Sequence, residues 1–196
     1  MSPKIGVLAL QGDFAAHGDA LRREGCEVVW VKRSADLKDL AGLVLPGGES
    51  TTMLNFLAEN GFDQKLREAA SRLPTLATCA GAILLAKRVR APEQPSLGLL
   101  DVTVVRNAYG RQRESSIRTA EVDPAFQETL GAKQLEAVLI RAPQFEELGP
   151  AVQVVARAEG LPVLLQQGNW IAASFHPELS PRSQVHRWFC KLLKSA

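Results

Sequence analysis

The stretch Pro74-Thr-Leu-Ala-Thr-Cys-Ala-Gly-Ala-Ile-Leu-Leu-Ala86 decides how the rest of the chain is interpreted. Its first part is an apolar run that predicts a buried strand over Leu76–Thr78, and this run stops at Cys79. Small residues follow at once, and the segment from Ala80 to about Val89 predicts a helix. In α/β folds, such a sharp strand-to-helix turn can present a nucleophile at the carboxyl end of the sheet. On this pattern alone, an inert core cysteine is an equally good interpretation.

Strand-and-helix units of the same kind precede this stretch. A helix is predicted from Phe14 to Glu24, and Ser50-Thr51-Thr52 is predicted to cap a second helix that runs to Glu59. The strands predicted beside these helices are Ile5–Leu10, Val28–Val31 and Leu43–Leu45. This βαβ rhythm predicts an α/β, flavodoxin-like fold: a mostly parallel sheet in three layers, with helices on both faces.

The second half of the chain has strand-like runs with little helix between them, which predicts an antiparallel extension of the same sheet. These runs are Val102–Val105, Val138–Ile140, Val152–Ala156, Val163–Gln166 and Trp170–Ser174. Near the end, Ser180-Pro181 is predicted to begin a last helix, whose apolar stripe starts at Val185 and Trp188. No linker divides the chain, so residues 1–196 are interpreted as a single domain.

Composition excludes several classes of function. Of 196 residues, 46% are hydrophobic and 22% charged, which is typical of a globular protein, and the net charge of +2 gives no general case for nucleic-acid or membrane binding. No run is long enough to span a membrane, and the N-terminus reaches polar residues too soon for a signal peptide. The three cysteines show no metal-binding spacing. These observations predict a cytoplasmic protein in a reducing compartment.

One histidine is placed to work with a strand-end cysteine. His176 ends a predicted strand, and Pro177 favours an extended backbone there. Since residues two apart in an extended chain point the same way, Glu178 can stand beside the imidazole and fix its tautomer. The alternative is a capped histidine and an exposed glutamate in a turn. His17 and His186 fall in helical patterns and are predicted to face solvent.

A glycine loop, Pro46-Gly47-Gly48, follows the third predicted strand. Glycines there let backbone N–H groups approach a ligand closely, and such groups suit an oxyanion. A plain glycine turn is the alternative interpretation. A phosphate-binding loop fits poorly, because no Lys-Ser or Lys-Thr pair follows the glycines.

Seven motifs carry a resemblance to a known family, and they extend in order from residue 6 to residue 179. They are Gly6-Val-Leu-Ala-Leu-Gln-Gly12, Leu45-Pro-Gly-Gly-Glu-Ser-Thr-Thr52, Thr78-Cys-Ala-Gly81, Leu97-Gly-Leu-Leu100, Arg106-Asn-Ala-Tyr-Gly-Arg-Gln112, Ile140-Arg-Ala-Pro143 and Ser174-Phe-His-Pro-Glu-Leu179. With them the chain resembles the class I (triad) glutamine amidotransferase family. Within that family it is most similar to the glutaminase subunits of pyridoxal 5′-phosphate synthase.

The resemblance implies an enzyme, a glutaminase, with a Cys-His-Glu triad of Cys79, His176 and Glu178. It implies a partner as well: a synthase subunit that receives ammonia and builds pyridoxal 5′-phosphate from a pentose phosphate and a triose phosphate. It implies no metal and no bound cofactor. The glutamine-binding positions that it implies are Gly48, Glu49, Ser50, Arg106, Ile140 and Arg141.

The resemblance also links Gln11, after the first strand, to activation by the docked partner. The chain departs from the family pattern at Ala77, where glycine is common and where a left-handed φ would strain an alanine, and at Tyr109, where phenylalanine is frequent.

The chemistry expected from these residues is acyl transfer through a thioester, with the backbone N–H groups of Gly48 and Ala80 as oxyanion donors. Two other functions remain open at this point. One is a cysteine peptidase or chaperone-like protein of the same architecture. The other is a catalytically silent regulatory or docking subunit.

Overall fold

Two sheets and six α-helices organise the residues that the computed structural model describes, which are 2–106, 116–181 and 183–194. The segment Asn107–Gln112, which belongs to one of the seven motifs and includes Tyr109, lies outside the described residues. Among the residues described, no helix has both the length and the apolar character needed to cross a membrane.

The strands and helices have the following bounds. The strands are β1 Lys4–Leu8, β2 Glu27–Val31, β3 Gly42–Leu45, β4 Thr75–Thr78, β5 Ala86–Arg90, β6 Leu100–Val105, β7 Ser116–Val122, β8 Gln134–Leu139, β9 Gln144–Glu146, β10 Gln153–Ala158, β11 Leu161–Gln167 and β12 Trp170–Ala173. The α-helices are α1 Phe14–Arg23, α2 Ser50–Leu57, α3 Phe62–Arg72, α4 Ala80–Leu85, α5 Gln127–Leu130 and α6 Gln184–Lys194. Short 3₁₀ turns cover Ser34–Leu37, Glu59–Gly61, Pro124–Phe126 and Pro177–Leu179.

The main sheet has nine strands in the order β2-β1-β3-β4-β12-β11-β10-β7-β8. From β2 to β12 neighbouring strands are parallel, and from β12 to β8 they are antiparallel. This arrangement confirms the predicted α/β class with an antiparallel extension. Because β3, β4 and β12 are parallel neighbours, their carboxyl ends meet at one edge of the sheet. That edge brings together the glycine loop, the cysteine and the histidine that the sequence singled out.

Helices cover the parallel half of the sheet on both faces. Alternate residues of β3 point to opposite sides: Leu43 and Leu45 pack in one core cluster with α2, α3 and α4, whereas Val44 packs in the other with α1 and α6. Every residue of β3 and of β4 is buried, as expected for strands covered on both faces. The three predicted layers are therefore present.

A separate three-stranded sheet, in the order β5-β6-β9, was not predicted. The prediction that Val102–Val105 extends the main sheet is wrong, because this run lies in β6 and pairs with β5 and β9. The predicted helix from Ala80 to about Val89 is correct only as far as Leu85. Ala86 has extended backbone torsions (φ −58°, ψ 154°) and begins β5. All six residues of α4 are buried, and a short apolar run does not distinguish helix from strand.

Several boundaries also differ from the sequence predictions. Helix α3 and strands β7 and β9 were missed. Glu49, rather than the Ser50-Thr51-Thr52 run, is the N-cap of α2, since its carboxylate accepts the N–H groups of the second and third residues of that run. The last helix begins at Gln184, because the backbone at Ser180 is extended (φ −83°, ψ 133°).

Candidate active site

The backbone is sharply bent at Cys79, between the end of β4 and the start of α4. Cys79 has φ 47° and ψ −108°, a conformation that is strained for a residue with a side chain, and its N–H donates to Ala173 O at 2.8 Å. A Cβ on Gly81 would collide with the carbonyl oxygen of Leu45, so only glycine fits there. Ala77 lies within β4 and does not carry the positive φ. The strained position is the cysteine itself, and an alanine two residues earlier is accommodated.

His176 and Glu178 lie side by side at the end of β12. The carboxylate Oε1 of Glu178 lies 2.7 Å from His176 Nδ1, and both side chains are buried. The 3₁₀ turn Pro177–Leu179 holds them on one side of the chain. A Cβ on Gly47 would collide with the imidazole ring, so the glycine loop makes room for His176. The side-by-side placement expected from the sequence is present.

The charges of these groups are strongly coupled. Burial lowers the pKa of His176, but hydrogen bonds and charge from Cys79 and Glu178 outweigh burial and raise this pKa to about 10. Burial raises the pKa of Glu178, but His17 first and His176 second hold it well below its usual range. The raised pKa of His176 therefore favours an imidazolium at neutral pH, with the Cys79 sulfur and the Glu178 carboxylate as neighbours. The Cys79 sulfur also lies 3.9 Å from Ile140 O.

A cavity of about 190 Å³ opens beside Cys79 and His176. It is smaller than drug-sized pockets of about 300–1,000 Å³ and suits a ligand of amino-acid size. All six residues that the resemblance assigns to glutamine binding line it, together with Ala80: Gly48, Glu49, Ser50, Arg106, Ile140 and Arg141. The structure thus brings to one place residues from five separate parts of the chain.

A carboxylate and a guanidinium form the polar wall of this cavity. Glu49 accepts hydrogen bonds from Thr51 N (3.1 Å), Thr52 N (2.7 Å) and Thr52 Oγ1 (2.8 Å). Burial raises its pKa, but these bonds, those from Thr52 above all, outweigh burial and lower the pKa to about 2. Arg106 Nη2 lies 3.5 Å from Glu49 Oε1. Adjacent fixed charges of opposite sign can bind the ammonium and carboxylate of a free amino acid.

Gln11 contacts the glycine loop directly. Its side-chain Oε1 accepts the backbone N–H of Glu49 at 2.6 Å, and Asp13 N donates to Gly47 O at 3.2 Å. The segment after β1 therefore fixes the loop that carries the Gly48 N–H. The sequence pointed to Gln11 only through the family resemblance.

The prediction that His17 and His186 face solvent is wrong, because both are fully buried. His17 Nε2 lies 3.0 Å from Thr78 Oγ1 and 3.3 Å from Glu178 Oε2, and His17 Nδ1 lies 2.9 Å from His186 Nε2. His186 Nδ1 in turn lies 2.6 Å from Ser183 Oγ. A signal was present in the sequence, since His17 stands three and four residues before the buried Ala20 and Leu21 of α1.

Within the described part of the chain, one group of side chains has the spacing of a metal site. Oxygens of Asp13 and Glu178 and a ring nitrogen of His176 lie within 4.8 Å of one another. His176 Nδ1 is already engaged by Glu178 at 2.7 Å, and Asp13 Oδ2 stands farther away at 3.6 Å. The short imidazole–carboxylate contact resembles that of a catalytic triad, and it occupies the ring nitrogen that faces both carboxylates.

Comparisons with known proteins show which family the chain belongs to. The family model of the SNO glutamine amidotransferase family matches residues 7–195. A protein of Koribacter versatilis described as "Pyridoxal 5'-phosphate synthase subunit PdxT" is 50% identical over 192 residues, covering 98% of this chain and 96% of that protein. A protein of Thermotoga maritima with the same description is 47% identical, covering 97% of this chain and 100% of the relative.

Solved structures show the same fold. A crystal structure described as that of a glutamine amidotransferase superimposes with a TM-score of 0.87 at 46% identity and covers 97% of this chain and 98% of that one. A Thermoplasma acidophilum protein described as a component of a putative GMP synthase gives a TM-score of 0.73 at 19% identity, covering 100% of this chain and 96% of that chain. The more distant likeness extends to the fold alone.

Proposed function

Because the chain belongs to the SNO glutamine amidotransferase family, we propose that it is the glutaminase subunit of a pyridoxal 5′-phosphate synthase. It hydrolyses L-glutamine to L-glutamate and ammonia, and it delivers the ammonia to the synthase subunit. The observation that carries the proposal is the strained Cys79 beside the bonded pair of His176 and Glu178, all at one cavity of amino-acid size.

In the first half of the reaction, the Cys79 thiolate attacks the side-chain amide carbon of glutamine. The carbonyl oxygen becomes an oxyanion, which the backbone N–H groups of Gly48 and Ala80 stabilise; both residues line the cavity. The C–N bond then breaks, and the protonated His176 gives its proton to the leaving nitrogen. Ammonia leaves and a thioester remains. The raised pKa of His176 supports this acid role.

In the second half, water attacks the thioester carbon while His176, now neutral, takes a proton from it. The C–S bond breaks, the thiolate of Cys79 is restored and glutamate leaves. Glu178 holds the imidazole in the tautomer that points its other nitrogen at the sulfur and stabilises the imidazolium. No step requires a metal or a bound cofactor. Pyridoxal 5′-phosphate is the product of the partner.

Substrate binding is proposed to use the wall of the cavity. Glu49 and Arg106 are already fixed by hydrogen bonds, so they can bind the α-ammonium and α-carboxylate groups of glutamine with little ordering cost. Arg141, with φ 46°, adds a second positive charge at the cavity. Ser50 and the backbone around Ile140 complete the proposed binding set.

We further propose that residues 1–196 form one glutaminase domain and that the protein works in the cytoplasm as part of a hetero-oligomer with the synthase subunit. The nine-stranded sheet joins strands from both halves of the chain, which supports one domain. Cys26 and Cys190 stand with their sulfurs 3.2 Å apart, well beyond the roughly 2.05 Å of a disulfide, which suits a reducing compartment.

The test is a coupled assay with the purified chain and its synthase partner. We expect glutamate and ammonia in equal amounts from glutamine. We also expect pyridoxal 5′-phosphate when the partner, a pentose phosphate and a triose phosphate are present. The Cys79→Ala variant should fail with glutamine but support synthesis when an ammonium salt is supplied, since the partner needs only ammonia.

Three results would separate the alternatives. Hydrolysis of peptides in place of glutamine would indicate a peptidase. Stimulation of the partner's use of ammonium without any glutamine hydrolysis would indicate a silent docking subunit. Glutamine hydrolysis by the Cys79→Ala variant at the rate of the unmodified chain would overturn the mechanism.

A further inference from the structure

A row of four polar side chains, three of them fully buried, begins at the Glu178 carboxylate, and we call it the inner row. It consists of Thr78, His17, His186 and Ser183. Glu178 uses only one of its two oxygens, Oε1, to bind His176. The other, Oε2, is buried and has no hydrogen bond of standard geometry among the described residues, and His17 Nε2 lies 3.3 Å from it. An ionised oxygen left without a partner in the interior is costly, so this contact needs an explanation.

The hydrogen-bond directions along the inner row follow from its chemistry. His186 is neutral, because burial first and the neighbouring His17 second lower its pKa to about 3. If Ser183 donates to His186 Nδ1, then His186 Nε2–H donates to His17 Nδ1, and the proton of His17 must sit on Nε2. There it faces two acceptors, Thr78 Oγ1 at 3.0 Å and Glu178 Oε2 at 3.3 Å, of which only the carboxylate oxygen is charged. An imidazolium at His17 carries a proton on Nε2 as well. The reverse direction would aim a nitrogen lone pair at the carboxylate.

We propose that His17 is a positioning residue of the glutaminase: its Nε2–H holds Oε2 of Glu178 and thereby fixes the carboxylate that orients His176. This inference rests on the proposed function. His17 is fully buried, so glutamine does not touch it, and it acts only through Glu178. Hydrogen bonds along the inner row connect His17 to His186 and His186 to Ser183, which lies just before α6.

The energetic cost of removing His17 falls on a single atom, Oε2 of Glu178. Without the Nε2–H, the buried Oε2 of Glu178 loses its ion-pair contact at 3.3 Å, and the carboxylate relieves this by rotating away from His176 or by taking a proton. Either change weakens the stabilisation of the His176 imidazolium by the Glu178 carboxylate. Loss of one hydrogen bond to a charged group corresponds to about 10–100-fold in rate. We expect this loss in kcat with KM for glutamine nearly unchanged.

Two amide substitutions test the two ring nitrogens of His17 one at a time. The amide group of glutamine lies near the position of Nε2, so His17→Gln can still donate to Glu178. The shorter side chain of asparagine lies near the position of Nδ1, so His17→Asn can accept from His186 Nε2 but cannot reach Glu178. The two variants are similar in polarity, and each keeps one half of the inner row. We expect His17→Gln to retain at least about a third of kcat and His17→Asn to lose about 10–100-fold.

The pH profile distinguishes positioning from a loss of structure. The titratable groups that face Glu178 are His176 on its own turn and His17 on α1, with His186 of α6 behind His17 and Asp13 on the far side of His176. Without the donor of His17, burial raises the pKa of Glu178. The acid limb of kcat should therefore move to higher pH in His17→Asn. The matched control is Leu21→Val, one turn along α1 in the core, which should lower the unfolding temperature but leave the pH profile unchanged.

All variants are assayed with the synthase partner present, well below their unfolding temperatures. Equal kcat in His17→Gln and His17→Asn, or a His17→Asn enzyme with the kcat and acid limb of the unmodified chain, would overturn the positioning role. If the unmodified chain releases no ammonia, or if Cys79→Ala releases it normally, the failure lies in the proposed function instead. A lower kcat in Leu21→Val with the same shift of the acid limb would also overturn the inference, because α1 as a whole would then be responsible.

Discussion

Two sides of the proposed triad meet at Glu178, one at each carboxylate oxygen, and they are built differently. The cavity side consists largely of loops at strand ends: the glycine loop, the Cys79 turn and Arg106. The inner row consists of the fully buried His17, Thr78 and His186, carried by α1, β4 and α6, and of the half-buried Ser183 just before α6. In the proposed mechanism, groups on the first side act by contacting substrate, whereas groups on the second act by fixing the Glu178 carboxylate. Changes on the two sides should therefore differ in size and in kind.

The largest effect is expected at the nucleophile. Cys79→Ala should lower glutaminase activity by about 10⁶-fold, to the background of the assay, because no other group can form the thioester. The fold should persist, since a smaller side chain fits wherever cysteine does, and circular dichroism would check it. Cys26→Ala is the matched control: this thiol is buried beside Cys190 and far in sequence from the triad, so its removal should leave kcat largely unchanged. Equal losses in both variants would remove the distinction between a reactive and a structural cysteine.

The next effect is expected where the two sides meet. His176→Asn should lower the rate of thioester formation by about 10⁴-fold, and Glu178→Gln by less, about 10²–10³-fold. The glutamine amide can still accept from one imidazole, but it offers only one acceptor where His176 and His17 each present a proton. Single-turnover trapping of the thioester measures both rates. Equal losses, or none, would show that the pair does not act as part of a triad.

The sequence revealed the cavity side far better than the inner row, and the reason is physical. A cysteine between a strand and small residues, a double glycine and a His-Pro-Glu run are local patterns, because each makes one tight turn possible. The inner row is not local. His17 and His186 are 169 positions apart, and the residues next to each of them in sequence do not indicate that the two side chains meet. The helical spacing of His17 with Leu21 indicated burial but gave no function.

The same reasoning explains the errors in the fold. The parallel half was predicted from continuous apolar runs, whereas β5 was missed because its two buried residues, Ala86 and Val89, are three apart, a spacing that continues the pattern of the apolar helix before them. Strand β7 alternates between buried and more exposed residues, and its pairing with β8 and β10 depends on residues distant in sequence. A strand that forms only because it pairs with a segment distant in sequence is difficult to predict from a single sequence.

A smaller effect is expected at the contact between β1 and the glycine loop. The isolated chain should be a poor glutaminase that its synthase partner activates by about 10²–10³-fold, if docking turns the Gly48 N–H into the oxyanion hole. Gln11 accepts the N–H of Glu49 at 2.6 Å and so sits where this change would be controlled. We expect Gln11→Ala to lower the partner-stimulated kcat by about 10-fold, as for one lost hydrogen bond.

Activity of the free chain equal to that of the complex would contradict this gating while leaving the glutaminase function intact. The measurement is ammonia release at saturating glutamine, with the partner titrated. KM for glutamine should change less than kcat, because Gln11 contacts the backbone of Glu49 rather than the side chains proposed to bind substrate.

The smallest effect is on the stability of the folded protein, which should depend on pH in opposite directions for the two sides. The pKa of His176 is raised to about 10 in the folded protein, so its contribution to stability is complete below about 6.5 and is lost as pH rises towards 10. The pKa of His186 is lowered to about 3 by burial and by His17, so its contribution is present above about 6.5 and is lost as pH falls. The cavity side thus loses stability in base and the inner row in acid.

Replacing His186 should remove the loss of stability at acid pH and leave the loss of stability at basic pH unchanged. Between pH 7 and pH 5.5 the loss from one such histidine is about 1 kcal/mol, or about 2–4 °C in unfolding temperature for a chain of this size. The His186→Gln variant has no group to protonate at that position, so its unfolding temperature should fall about 2–4 °C less than that of the unmodified chain over this acid interval. Above pH 7 the two should fall in parallel, because both retain His176. Parallel curves in acid as well would mean that His186 gains a proton in the folded protein as easily as in the unfolded one. That outcome would remove the neutral imidazole on which the direction of the inner row depends.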